Sequence, residues 1–105
     1  MTSKQRLHAV LFTKDECAPC FKTKVHVATL FQGRPELAEH FSQLAKENHP
    51  ALIEAYEINL FPTLLITDQN IKGDQSNEVD RIIGGKAVRE NLEAILEKIN
   101  KERKL

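Results

Sequence analysis

The stretch Leu7 to Thr13, LHAVLFT, is nearly all apolar and rich in side chains that favour extended backbone. A strand of this kind has no polar face to turn towards water, so both of its faces must be covered. Helices packed over a sheet supply that cover, which points to an α/β or α+β layer architecture. With 105 residues, 41% hydrophobic and 29% charged, the chain is expected to form a single domain over 1–105 around a modest core.

The rest of the chain reads as alternating strands and helices. Lys14, Asp15 and Glu16 break the first strand. From Cys17 to about Phe31 the apolar residues Cys20, Val27, Leu30 and Phe31, with Phe21, Val25 and Ala28, recur at helical spacing, and Gly33 and Pro35 end that helix. Between 36 and 48, Leu37, Ala38, Phe41, Leu44 and Ala45 fit a helical stripe when read locally. Asn48 can cap a short helix that has Pro50 in its first turn. Leu64 to Thr67 form a short apolar strand with Pro62 at its entrance, where proline is tolerated. Residues 68–77, DQNIKGDQSN, read as a polar hairpin loop, Glu78 to Ile83 as the returning strand, and Gly84 and Gly85 as its close. From Lys86 onward Val88, Leu92, Ile95, Leu96 and Ile99 make the stripe of an amphipathic helix.

Charge and hydropathy exclude several classes. Fifteen basic residues balance fifteen acidic ones, and no basic stripe runs along the chain, so nothing here is suited to nucleic acid. The locally basic end KINKERKL reads as a helix C-terminus complementing its own dipole. The apolar run Ala9 to Phe12 is shorter than the roughly 7 to 15 residues of a signal h-region. No segment approaches the roughly 20 apolar residues of a membrane span. The expectation is a cytoplasmic monomer with no membrane and no nucleic-acid partner.

Cys17 and Cys20, in DECAPCFKT, are the only cysteines. A structural zinc site wants four ligands, and only one cysteine pair is present. His8, His26, His40 and His49 are scattered without metal-ligand spacing and read as surface or capping residues. A structural disulfide between residues three apart closes so small a loop that it removes little chain entropy. The third reading is a redox pair, and a reducing compartment favours it over a staple. Cys17 follows a strand and opens a helix, where free backbone N–H groups and the helix dipole favour a thiolate, the form that attacks disulfides. Cys20, one turn in, is shielded and able to resolve the mixed disulfide that Cys17 forms. Pro19 fits the first turn, where its missing N–H costs nothing. A Cys-x-x-Cys alone is a weak signal; its place between strand and helix strengthens it.

CAPC in this setting, FPT at 61–63 and IIGG at 82–85 before an amphipathic helix together resemble the thioredoxin superfamily over nearly the whole chain. Pro62 follows Cys20 at a separation similar to that in thioredoxins. The resemblance implies a minimal βαβ–ββα core, with a four-stranded mixed sheet flanked by helices. It also implies a strand near Phe41 to Lys46, against the local reading. It further implies a cis Phe61–Pro62 bond facing the cysteines and a Phe61 backbone that pairs with a substrate peptide in β fashion. Phe61, Pro62, Thr63 and Gly84 become the substrate-binding set, with Gly85 beside them where a partner's backbone approaches. The implied activity is thiol–disulfide exchange by Cys17 and Cys20, with no cofactor beyond their disulfide and no metal. The implied partners are protein disulfides and an upstream reductase, thioredoxin reductase or glutathione.

The chain departs from the family pattern in several places. The residues before Cys17 leave no room for the extra N-terminal strand and helix of a full thioredoxin, so the chain is closer to a glutaredoxin-like core. Glu16 stands where thioredoxins carry an aromatic, and Leu11 where they bury an acid that handles the resolving cysteine's proton. The 68–77 loop is longer than a thioredoxin hairpin. Asp15 and Glu16 oppose a thiolate at Cys17, whereas Lys14 and Lys22 favour one. The proline directly precedes Cys20, as in thioredoxins, and does not follow the first cysteine as in glutaredoxins. Two alternatives stand beside a protein-disulfide reductase: a glutaredoxin-like, glutathione-dependent enzyme, and a thioredoxin-fold redox-sensing or binding module with little turnover.

Overall fold

A computed structural model describes residues 7–68 and 77–103. In chain order they form β1 (Leu7–Thr13), α1 (Ala18–Gly33), a 3-10 turn (Pro35–His40) and β2 (Phe41–Ala45). A second 3-10 turn (Lys46–Asn48), α2 (Pro50–Ala55), β3 (Thr63–Asp68), β4 (Glu78–Ile83) and α3 (Gly85–Arg103) follow. The four strands make one sheet in the order β2-β1-β3-β4. β1 and β2 run parallel, while β1–β3 and β3–β4 are antiparallel. This is the expected mixed sheet flanked by helices.

β1 lies inside the sheet and is covered on both faces. Successive strand residues point to opposite sides. Ala9 and Leu11 therefore join Val27 of α1, Leu37, Leu64, Ile66 and the α3 stripe Val88, Leu92, Leu96 and Ile99. Val10 and Phe12 join Tyr56, Ile58 and Leu65 on the other side, with Leu52 and Ile53 of α2 packed against them. The continuous apolar run is thus explained by two cores that share one strand.

Several local expectations are corrected. Phe41 to Ala45 is a strand, as the family pattern implied, although its apolar spacing suits a helix. The preceding 3-10 turn carries Leu37 and His40 inward, and the edge strand that follows is half-buried, so no clean alternation marks it. Asn48 does not cap α2; it ends a 3-10 turn, and His49 precedes Pro50 without a side-chain capping bond. His40 is not a surface residue: it is buried, with Nε2 2.8 Å from Asn100 Oδ1 of α3. His8 is half-buried, with Nε2 2.8 Å from Ser42 Oγ. Of the 68–77 hairpin loop, residues 69–76 lie outside the described residues. At its ends, Asn77 Nδ2 donates to the Asp68 carbonyl, and the Tyr56 hydroxyl donates to Asn77 Oδ1 at 2.6 Å. Of the basic end KINKERKL, 98–103 belong to α3 and 104–105 lie outside the described residues.

Candidate active site

The break after β1 places Cys17 at the N-cap of α1, with extended backbone (φ −133, ψ 101). Its sulfur accepts the Cys20 N–H at 3.2 Å, the position a capping oxygen would take. A negative charge on that sulfur would gain from this bond and from the helix N-terminus. Pro19 sits in the first turn, where no N–H is needed. Cys17 and Cys20 are joined in a disulfide, with Cα atoms 5.2 Å apart. The two sulfurs differ in access: Cys17 is partly exposed, whereas Cys20 is 1% exposed.

Phe61 and Pro62 face this pair. Their peptide bond is cis, and the Phe61 carbonyl oxygen lies 3.8 Å from Cys17 Sγ. Among the described residues neither the N–H nor the C=O of Phe61 makes a backbone hydrogen bond, so both are open to an extended chain laid beside them. The Gly84 N–H is already taken, donating to the Pro62 carbonyl at 2.9 Å. Gly84 has φ +101, which a side chain rarely tolerates. Gly85 does not line a groove but is buried, and a Cβ built there would meet Pro19 Cβ at 3.0 Å. Its lack of a side chain lets the start of α3 rest on the first turn of α1. Thr63 also turns inward: it is buried, and its hydroxyl donates to the Leu60 carbonyl at 2.6 Å. The predicted set therefore divides. Cys17, Cys20, Phe61, Pro62 and Gly84 come together, whereas the Thr63 side chain supports the loop from within.

Further residues, unmarked by any motif, shape the site. Glu47 Oε2 accepts the Asp15 N–H at 3.0 Å, tying the loop before Cys17 to the turn after β2. That bond holds the Glu47 carboxyl below the ordinary glutamate range, with its own backbone N–H, Lys46 and Lys24 adding to the effect. Lys14 and Lys46 each place Nζ 5.7 Å from the Phe61 ring centroid. Behind the pair, Arg89 Nη1 donates to Thr23 Oγ1 at 3.2 Å, and the Thr23 hydroxyl donates to the Pro19 carbonyl at 2.8 Å. This chain of bonds braces the first turn of α1 from α3. Of these, Lys14 was marked by its nearness to Cys17, and Thr23 could have been, as the polar residue on the buried side of the α1 stripe. Leu11 is fully buried on the face that α1 and α3 cover. Among the described residues no group of three or more His, Cys, Asp or Glu side chains could hold a metal ion.

A cysteine pair at a helix mouth, opposite a cis-proline loop on a four-stranded mixed sheet, is the layout of a thioredoxin fold. Solved structures agree. The chain is similar to thioredoxin from Fasciola hepatica, with 23% identity and a TM-score of 0.67, covering 90% of this chain and 82% of that one. It is similar to mitochondrial thioredoxin 3 from Saccharomyces cerevisiae, with 20% identity and a TM-score of 0.64, covering 90% and 80%. Oxidised thioredoxin from Plasmodium falciparum gives 21% identity and a TM-score of 0.65, covering 91% and 83%. No family profile and no curated protein sequence matches the chain. At these identities the likeness is one of fold.

Proposed function

We propose that this chain is a thiol–disulfide oxidoreductase acting on protein disulfides. The observation that carries the reading is the unequal access of the joined cysteines, with Cys17 at the helix mouth beside the open backbone of Phe61 and Cys20 sealed behind it. In the reduced protein the Cys17 thiolate attacks one sulfur of a partner disulfide. That S–S bond breaks, and the departing partner sulfur takes up a proton. The partner is then held to Cys17 by a mixed disulfide, its backbone paired with Phe61. Cys20 gives up its proton and attacks Cys17 Sγ, the mixed disulfide breaks, and the second partner thiol leaves protonated. Two electrons have passed to the partner, and the Cys17–Cys20 disulfide has closed. A thiol donor, a thioredoxin reductase or glutathione, restores the dithiol. Such chemistry belongs to a reducing compartment, which for this reading is the cytoplasm. No helix among the described residues is long and apolar enough to cross a membrane.

The test is turnover of a protein disulfide. Cys17→Ser should abolish it, and Cys20→Ser should accumulate a covalent partner adduct that a reductant releases. Activity that survives Cys17→Ser rules the mechanism out. Reduction of a small glutathione mixed disulfide that persists in Cys20→Ser would instead assign the glutathione-dependent chemistry. A second reading, a redox-sensing module with little turnover, is favoured by the buried Leu11, which offers the Cys20 proton no carboxylate. It predicts partner binding that changes with redox state while reductase rates stay negligible.

A further inference from the structure

The apolar stripe of α1 is wider than the face it buries. Cys20, Thr23 and Val27 point into the protein. Phe21 and Val25, one turn apart on the same side of the helix, are 68% and 50% exposed. They line a groove of about 490 Å³ between α1 and α3 with Lys22, His26, Thr29 and Arg89. Phe21 also lines the cleft around Cys17, so the groove runs on from the reactive sulfur. No acidic side chain lines it. Among the described residues Arg89 has no carboxylate partner, its hydrogen bond going to the neutral Thr23 hydroxyl. Nearby, Arg34, just past the end of α1, pairs with Glu36 and with Glu93 and Glu97 of α3, and Lys86 pairs with Glu90.

We propose that this groove docks an acidic segment of the disulfide-bearing partner, with a large apolar side chain seated against Phe21 and Val25 and flanking carboxylates on Arg89 and Lys22. The proposal rests on the oxidoreductase reading and gives its partner a chemistry. Charge complementarity selects this occupant. A second copy on a two-fold axis would bring the Lys22 and Arg89 cations of the two grooves together, like charge against like. A nucleic-acid strand suits the groove less well, since Lys22 and Arg89 are its only Lys or Arg residues, too few to follow a phosphate backbone.

The experiment is an NMR titration of the isotopically labelled, oxidised protein with short cysteine-free peptides. One peptide carries a central Phe flanked by Asp and Glu, its counterpart the same Phe flanked by Lys. The acidic peptide should shift Phe21, Val25 and Arg89 signals and bind at least about tenfold more tightly than the basic one, with affinity falling as salt rises. Val25→Ser and Lys22→Glu should each weaken it about fivefold or more. Equal affinity for the two peptides, shifts confined to other surfaces, unchanged affinity in both variants, or equally tight binding of oligothymidylate would overturn the proposal. The peptides contain no sulfur, so this result stands whatever the turnover assays give. In turnover, Val25→Ser should slow an acid-flanked peptide disulfide and leave a small uncharged disulfide unchanged. Equal losses on both would also overturn it, and wild-type protein that turns over neither would instead sink the oxidoreductase reading.

Discussion

Glu47 anchors the loop that leads into Cys17, and its charge state sets whether the anchor holds. Its carboxyl is lowered first by the Asp15 N–H it accepts, then by its own backbone N–H and nearby lysines. A carboxyl lowered by folding contributes fully above its unfolded value, and the contribution is lost as pH falls through the folded one. The side chain is exposed, so the effect is local. The Asp15 amide signal is expected to titrate with a midpoint below the ordinary glutamate range, and Glu47→Gln should remove the inflection. An Asp15 amide that ignores acid would show the bond is not made in solution. None of this was legible in the sequence, because Glu47 lies far from Cys17 along the chain. Glu16 was equally silent: it adopts φ +52, a left-handed conformation usually announced by Gly, Asn or Asp. The cysteine pair itself was legible, because helix-capping chemistry is local and its residues are contiguous.

The contact between α1 and α3 depends on a missing side chain. At Gly85 a methyl group would meet Arg89 Nη1 at 2.8 Å and Pro19 Cβ at 3.0 Å. The guanidinium can swing aside, but the proline ring cannot. Gly85→Ala is expected to push the start of α3 off the first turn of α1 and cost about 1–2 kcal/mol, as overpacking does. It should lower Tm by several degrees and slow disulfide turnover, while Lys86→Ala at the exposed neighbouring position leaves both unchanged. A Gly85→Ala protein with wild-type Tm would show that the two turns are not in contact. The elements that could be read directly were those with an unambiguous local signal: the continuous apolar run of β1, the strand β4 between a polar loop and Gly84 and Gly85, and the α3 stripe. β2 could not, because a half-buried edge strand preceded by a 3-10 turn mimics helical spacing. In α1, Phe21 and Val25 belonged to an apolar pattern whose period cannot tell an inward face from an outward one.

Seen whole, the molecule has unequal halves. Ten buried residues from four elements and the 3-10 turn at Leu37 fill the α1/α3 side, against five on the α2 side. The six-residue α2 has no fully buried residue of its own. Local opening should therefore begin on the α2 side. Amide exchange in α2 is expected to run at least about 100-fold faster than in β1, which is bonded to neighbours on both edges. Equal protection in the two would contradict this. The order of the halves was not readable from composition, since Tyr56 and Ile58 follow a helix too short to declare a core. β1 is the partition between them, and that has an evolutionary consequence. Its odd and even residues serve different neighbours, so swapping one aliphatic for another inside it is a small event. Adding or dropping one residue would deliver each half the other's side chains. Drift should therefore change the identity of these seven residues while leaving their number fixed.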